Sequence, residues 1–332
     1  MPPDSPTAPF LSRHPPTTRV RLVFAILVGV ASALYVLLFA RANPDFVSDF
    51  DQVWAGARAL WHGQNPYIVV GPGRAFHWHW PLYYPLPALV LTAPLGLIAV
   101  VPARMVFAGV SAALLAFAIT RDGFARWPLF ISIAFMVNVE LVQWSNLLAA
   151  AMLLPALGGI AVAKPNIGLA VGAHADRVSS IRWLAAGSAI LIASSFAVFP
   201  GWLGYWIENA RSAPHVTPLL LRPGGPLLLV ALVRWRRPEA RLLVALACTP
   251  LTPTFYDPVL LYLVTRSFRE ALTLTVCTFV LFFIVAFNSP LPTAAAWGDL
   301  VATASIWVIY LPCLGMVLLR PNEAPAPAER AR

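Results

Sequence analysis

Charge is scarce in this chain. Only 11% of its 332 residues are Asp, Glu, Lys or Arg, and Lys164 is the one lysine. Cysteine is nearly absent too: Cys248, Cys277 and Cys313 each lie inside an apolar run with no paired spacing. That argues against a disulfide framework or a metal site and leaves them as small packing residues. Neither a G-x-x-x-x-G-K-[ST] loop nor a Rossmann glycine fingerprint occurs, so the usual nucleotide cradles are missing. An internal repeat and an interdomain linker are lacking as well. What the sequence has in excess is apolar surface, with 59% hydrophobic residues and a mean hydropathy of +0.73. Those values lie outside the range of soluble domains and indicate an all-α, polytopic integral membrane protein.

Uncharged windows suited to crossing a bilayer run from Leu22 to Ala40, Pro81 to Ala103, Met105 to Thr120, Leu141 to Ala163, Trp183 to Ile207, Ala271 to Gly298 and Leu300 to Leu319. With shorter apolar pieces at Trp127 to Val139, Pro223 to Val233 and Leu242 to Tyr256, about nine to eleven membrane segments are expected, some of them broken. The first window follows a polar tail and reads as a retained span rather than a cleaved signal peptide. A net charge of +9 could suggest nucleic acid. The cations, however, are almost all arginines in short loops, the positive-inside pattern, and no nucleic-acid partner is expected. Arg13, Arg19 and Arg21, then Arg234, Arg236, Arg237 and Arg241, then Arg320, Arg330 and Arg332, mark places expected to be cytoplasmic. The chain so divides into a cytoplasmic tail (1–19), one transmembrane domain (20–319) with a first extracytoplasmic loop at 41–80, and a disordered cytoplasmic tail (320–332). Between Arg121 and Arg182, the residues Lys164, Asp176 and Arg177 fit two threadings.

Thirty-two prolines are roughly double average usage, and many fall within apolar runs. Each removes a helical hydrogen bond, so broken backbone at membrane depth must be buried or line a wet cavity. Such breaks often mark binding sites. The segment Arg241 to Arg266 is too short for two spans and too rich in proline for one straight helix.

The first loop holds SDFDQVWAGARALWHGQNPY, Ser48 to Tyr67. On a helix from Ser48 to His62, Phe50, Val53, Trp54, Ala57, Leu60 and Trp61 share one face, and Asp51, Gln52, Ala55, Arg58 and His62 the other. An interfacial amphipathic helix is expected, stopped by Gly63 and Asn65-Pro66. Ser48 and Asp51 have capping-box spacing, which explains Asp51. Asp49 either serves the helix dipole or faces a cavity and acts on a substrate.

The order of Asp49-Phe50, Trp54, Gly63 and Pro66-Tyr67 resembles the first extracytoplasmic loop of the family 87 glycosyltransferases, bacterial polyprenyl-phosphate-mannose-dependent alpha-mannosyltransferases of the membrane GT-C type. Further elements follow in the same order. Tyr84-Pro85-Leu86-Pro87 with Ala93-Pro94-Leu95 looks like the family's proline-rich second span. Gln143 with Asn146 is similar to its Gly-Gln-x-Asn element, and Ala163-Lys164-Pro165 to its Lys-Pro. Trp202, Tyr205 and Trp206 resemble an aromatic external segment, and Thr249-Pro250 to Tyr256 a late Ser-Pro and Trp-His region. The departures are Val53 for a Tyr, Val142 for the Gly before Gln143, Phe255, Tyr256 and Asp257 for Trp-His, and a shortened stretch between Leu154 and Lys164. They fit either a divergent specificity or a lost activity.

The resemblance implies transfer of a hexose, mannose in the family, from a polyprenyl phosphate to a lipid or glycan acceptor hydroxyl, on the extracytoplasmic side of a bacterial-type inner membrane. It assigns the general base to Asp49, with Asp51 second and Asp45 third. The leaving phosphate would meet Lys164, or Arg211, Arg222 and His215. Tyr84, Gln143, Asn146, Tyr256 and Asp257 are the expected substrate-binding residues, and no cofactor or metal is expected. His77 to Trp80, HWHW, reads as an aromatic membrane belt rather than a metal site. Glu140 is either a buried polar contact or a loop acid. The rival classes are a transporter or lipid flippase, and an inactive relative serving as an assembly subunit.

Overall fold

An oily chain with few charges has to gather them where they can pair or reach water. The computed structural model, which describes residues 16–213, 216–250, 255–290 and 293–320, gathers them at two ends. In chain order the helices are α1 (Thr18–Ala42), α2 (Asp51–Trp61), α3 (Pro66–Val69), α4 (Leu86–Thr92), α5 (Val100–Ile119), α6 (Ile133–Glu140), α7 (Ser145–Leu153), α8 (Pro165–His174), α9 (Val178–Val198), α10 (Trp202–Arg211), α11 (Pro238–Cys248), α12 (Phe268–Phe287), α13 (Ala294–Ser305) and α14 (Leu311–Leu318). A two-residue parallel pair, β1 (Val70–Gly71) with β2 (Phe76–His77), is the only sheet among the described residues.

Five stretches are long and apolar enough to cross a bilayer: α1, α5, α9, α12 and Ala295–Leu318, which runs through α13, one π-turn and α14. The bent pair α6–α7 would make six. The chain is therefore an all-α polytopic membrane protein. The expected nine to eleven segments become five or six of spanning length plus short pieces, and proline is the reason. Pro87, Pro155, Pro165, Pro226, Pro238 and Pro258 each sit in the first turn of a short helix, where a missing N–H costs nothing.

The three longest 3-10 helices among the described residues are Pro155–Ala163, Gly225–Arg234 and Asp257–Leu263. Such runs rarely exceed four residues, but their ~2.0 Å rise carries nine residues about 18 Å, where an α-helix would cover about 14 Å. The stretch before Lys164 thus reaches further than an α-helix of the same length would.

One end is built from arginines. The Arg21 guanidinium donates to the Phe117 carbonyl (2.6 Å) near the close of α5. Arg126 donates to Thr265 (2.7 Å), Arg234 to Leu318 (3.2 Å) and Arg320 to Val264 (2.6 Å). Glu239 and Glu270 tie this end together by accepting from Arg266 and Arg320. The three arginine clusters of the sequence are therefore represented at one end by Arg21, Arg234 and Arg320. Lys164 lies at the other end, bonded to Gln143, whereas the Ala173 carbonyl, beside His174, accepts from Arg241 (2.7 Å). Helix α8 therefore runs from the lysine end to the arginine end.

Small residues let the backbones close. Gly29 of α1 faces Gly109 of α5, and an added Cβ on Gly29 would lie 2.8 Å from the Gly109 oxygen. At Gly159, against Gly187 of α9, it would lie 2.5 Å from a carbonyl carbon. Backbone cannot yield as a side-chain tip can, so Gly159→Ala is expected to cost about 1–3 kcal/mol. Gly204→Ala, inside α10 with open space around it, should leave stability unchanged or raise it by up to about 1 kcal/mol. Thermal unfolding of both variants in one detergent checks the contrast.

Candidate functional site

The two acids of the first loop have different fates. Asp51, 2% exposed, accepts from the Ser48 backbone N–H (3.0 Å) and hydroxyl (2.9 Å) and from Arg104 Nε (2.7 Å) and Nη2. Arg104 also donates to the Phe46 carbonyl (3.1 Å). Both Asp51 oxygens are committed to protein, which corrects its candidacy as a base: it is a structural clamp between the loop and α5. The helix also starts later than expected, at Asp51 with Phe50 as N-cap. Only half of the capping box forms, because the Ser48 hydroxyl donates to the carboxylate that Arg104 holds. Asp45 is exposed and stands apart from this cluster.

The faces of α2 follow the expectation in part: Phe50, Val53 and Ala57 are buried and Arg58 and His62 exposed, but three polar-face residues go inward and one tryptophan goes out. Asp51, Gln52 and Ala55 are buried together with Val53 and Ala57, while Trp61 is 55% exposed. Trp54 and Trp61 donate to the Ile98 (3.0 Å) and Ala93 (2.7 Å) carbonyls. In a membrane body the inner side takes the polar and small residues, and tryptophans suit the boundary.

Asp49, just before α2 and partly buried, accepts from the Gln143 side-chain N–H. The Gln143 carbonyl oxygen accepts from Lys164 Nζ at 3.0 Å. One amide therefore joins the carboxylate to the ammonium across sequence separations of 94 and 21 residues. Lys164 lies 5.1 Å from the centre of the Tyr256 ring, and Asp257 and Asp49 both act on its charge. The same two acids bear on the Tyr84 hydroxyl. Burial pushes the Asp49 carboxyl above the usual carboxylate range, against the Lys164 ammonium and the Gln143 hydrogen bond, which pull it down.

Gln143 reaches this position through an unusual turn. Helices α6 and α7 meet at a bend of 116°, and the Gln143 N–H reaches back to the Asn138 carbonyl (2.8 Å). Val142 has φ +53°, a left-handed conformation that is an outlier for a β-branched residue and natural for glycine. This is the position where the resemblance expects Gly. Around the turn, both side-chain amide atoms of Asn138, Trp144 Nε1, Ser145 Oγ and Asn146 Oδ1 are buried without a protein partner. Such atoms cost about 1–3 kcal/mol each and cluster where polar ligands bind. Asn146 is therefore beside the cluster, one turn beyond Gln143.

Helix α10 closes over the neighbouring segment: Trp206 donates to the Tyr83 carbonyl (2.9 Å), Asn209 to Leu82 (3.2 Å), and the Tyr205 ring stacks on Tyr67. The remaining candidates are elsewhere. Arg222 pairs with Asp299 (2.7 Å) and donates to Thr217, and Arg211 is exposed at the end of α10. Neither touches Asp49, Gln143 or Lys164, so the phosphate role expected of them is not supported by position. His215 lies outside the described residues. His77 and His79 are exposed loop rings 6.0 Å apart, and no group of three metal-binding side chains occurs among the described residues. Glu140 accepts from Tyr35 (2.9 Å), a polar contact with α1.

Arg104 escaped the sequence reading because it split one apolar window into two and so looked like a loop charge. The signal was there: a lone arginine within 20 apolar residues calls for a buried acid. No family model, curated protein or solved structure matches the chain.

Arg104→Met would leave Asp51 buried and unpaired, costing about 3–5 kcal/mol, and adding Asp51→Asn should restore part of the loss; unfolding of the single and double variants tests the pairing. At the α6–α7 turn, Val142→Gly and Val142→Ala both remove buried carbon, but only glycine relieves the left-handed strain. Glycine is expected to be the milder change by about 1 kcal/mol, measured as the difference in unfolding midpoint.

Proposed function

We propose that this chain is a membrane glycosyltransferase of GT-C type, related to family 87, that transfers a hexose, mannose by resemblance, from a polyprenyl phosphate to an extracytoplasmic acceptor hydroxyl with inversion. The observation that carries the reading is the convergence of Asp49, Tyr84, Gln143, Lys164, Tyr256 and Asp257. These residues come from five separate family-like elements and surround one carboxylate joined to one ammonium.

The proposed chemistry follows from that pair. The acceptor oxygen attacks the anomeric carbon, Asp49 takes the hydroxyl proton, and the bond from carbon to phosphate oxygen breaks with its electrons leaving on the phosphate. A carboxylate raised by burial is the stronger base, and the Lys164 ammonium and the Gln143 hydrogen bond favour its ionised form. The charge growing on the phosphate is met by Lys164, fixed in advance by Gln143 and Tyr256. The Gln143 amide keeps the two charges from pairing directly, so both remain available. An extracytoplasmic site agrees with the positive-inside rule, because Lys164 and Asp49 lie at the end opposite the arginine clusters.

Membranes supplied with labelled polyprenyl-phosphate mannose should show transfer by the wild type, reduced about 10²- to 10⁴-fold in Asp49→Asn. Equal transfer by both would remove Asp49 from the mechanism. Failure with every polyprenyl donor would favour a transporter, a flippase or an inactive assembly subunit. Asp49 must be ionised to act, so activity falls as pH drops through its folded pKa. Lys164→Met removes the ammonium that lowers that pKa, and the acid limb of the pH profile should move upward. An unmoved limb would dissociate Lys164 from Asp49.

A further inference from the structure

A second polar site lies at the arginine end, where α5, α7, α8, α11 and the segment Asp257–Leu263 finish or begin. It is a cavity of about 380 Å³ whose polar lining is Asp122, Arg126, His174, Glu239 and Arg266. None of these belongs to the Asp49 cluster, and the inference does not depend on the catalytic reading.

The charges in this cavity are not equally free. Glu239 Oε1 accepts from Arg266 Nη2 (2.7 Å) and Nε (3.0 Å), with Arg320 Nη1 3.9 Å away, while its Oε2 is buried with no hydrogen-bond partner among the described residues. Arg126 is different. Its Nε is anchored on the Thr265 carbonyl at 2.7 Å, which fixes the guanidinium plane, and its two terminal nitrogens make no hydrogen bond within the described residues. His174 likewise lines the space with no hydrogen bond of its own, and Arg241 sits beside it on the Ala173 carbonyl. Asp122 is exposed at the rim, where water screens its opposing charge. The walls between these groups are the apolar ends of α5 and α7, represented by Ile119 and Leu153.

We propose that this cavity binds a phosphate group, held by the fork of Arg126 with His174 beside it. An anchored guanidinium offering two parallel N–H groups matches a phosphate bidentately. A free arginine fork among apolar segment ends at a membrane face is a place where anionic lipid headgroups lodge, their chains lying along the segments. Asp122 and Glu239 match the two arginines of the lining in number, so the fork of Arg126 rather than net charge does the holding. The phosphate can come from such a headgroup or from a free solute.

The test uses the purified full-length chain in nanodiscs of phosphatidylcholine alone or with added cardiolipin, with inorganic phosphate as the second probe. Cardiolipin should raise the unfolding midpoint and bind the wild type at least about tenfold more tightly than Arg126→Gln, the scale of one lost charge-assisted hydrogen bond. Inorganic phosphate that saturates and displaces cardiolipin would identify the free anion as the source and equally support the site. If Arg126→Gln fails to fold, Asp122→Asn decides: removing the rim acid should tighten the response to either probe by about threefold. Responses to cardiolipin and phosphate that are identical in wild type, Arg126→Gln and Asp122→Asn would overturn the proposal.

Discussion

Lys164 can keep its ammonium inside an apolar body because the Gln143 carbonyl accepts from it, the Tyr256 ring faces it, and Asp49 and Asp257 lie within reach of its field. A charge moved from water into such a body is costly unless all of this is supplied at once. Much of the local architecture serves that requirement. The α6–α7 turn must deliver Gln143 between the carboxylate and the lysine, and the stretch Pro155–Ala163 must bring Lys164 back to it. Segment Asp257–Leu263 must begin at the same level.

Those demands explain features that are poor choices in isolation. A valine in left-handed backbone, a nine-residue 3-10 run and several buried polar atoms without partners are each unfavourable alone. The left-handed valine, the nine-residue run and five of the unpartnered atoms lie around Gln143 and Lys164, while a ten-residue 3-10 run, Gly225–Arg234, and unpartnered atoms of Arg21, Tyr83, Trp202, Arg234 and Glu239 lie elsewhere. Helices α1, α5, α9 and α12 carry no left-handed residue and no 3-10 run, and can be long because they have only to cross. Strain concentrated beside a bridged charge pair, with regular helices around it, is the pattern of a site held by a scaffold.

How much of this was readable beforehand depends on the physical signal involved. Hydropathy located α1 and α5 to within about a turn and found α9 and α12 but ran well past their C-terminal ends, since twenty apolar residues in a row have few alternatives while their breaks carry no hydropathy signal. Proline marked the breaks, but whether a broken window becomes a 3-10 strut or a bent hairpin depends on tertiary reach, which no local pattern contains. Asp49, Tyr84, Gln143, Lys164, Tyr256 and Asp257 were all singled out through their order along the chain. Their junction through one amide was invisible, because a hydrogen bond over 94 residues leaves no spacing to read. The face of α2 was legible only in part. Phe50, Val53 and Ala57 are buried as one side, but Asp51 also points in, because Arg104 awaits it, and Trp61 points out. Arg104 and the arginine-end cavity were missed because loop arginines are explained so readily by topology that their geometry goes unquestioned.

Two acids separated by one phenylalanine show how environment divides labour. Asp51 is saturated by Arg104 and Ser48, four hydrogen bonds on two oxygens, so it can be neither a base nor a ligand without dismantling the loop. Asp49 receives from the described protein one neutral amide donor and the field of an ammonium beyond it. A neutral partner steadies the side chain without cancelling its charge, whereas a direct lysine contact would have quenched it as Arg104 quenches Asp51. A structural clamp and a proposed base can then be neighbours on one loop, because the first holds the backbone that aims the second.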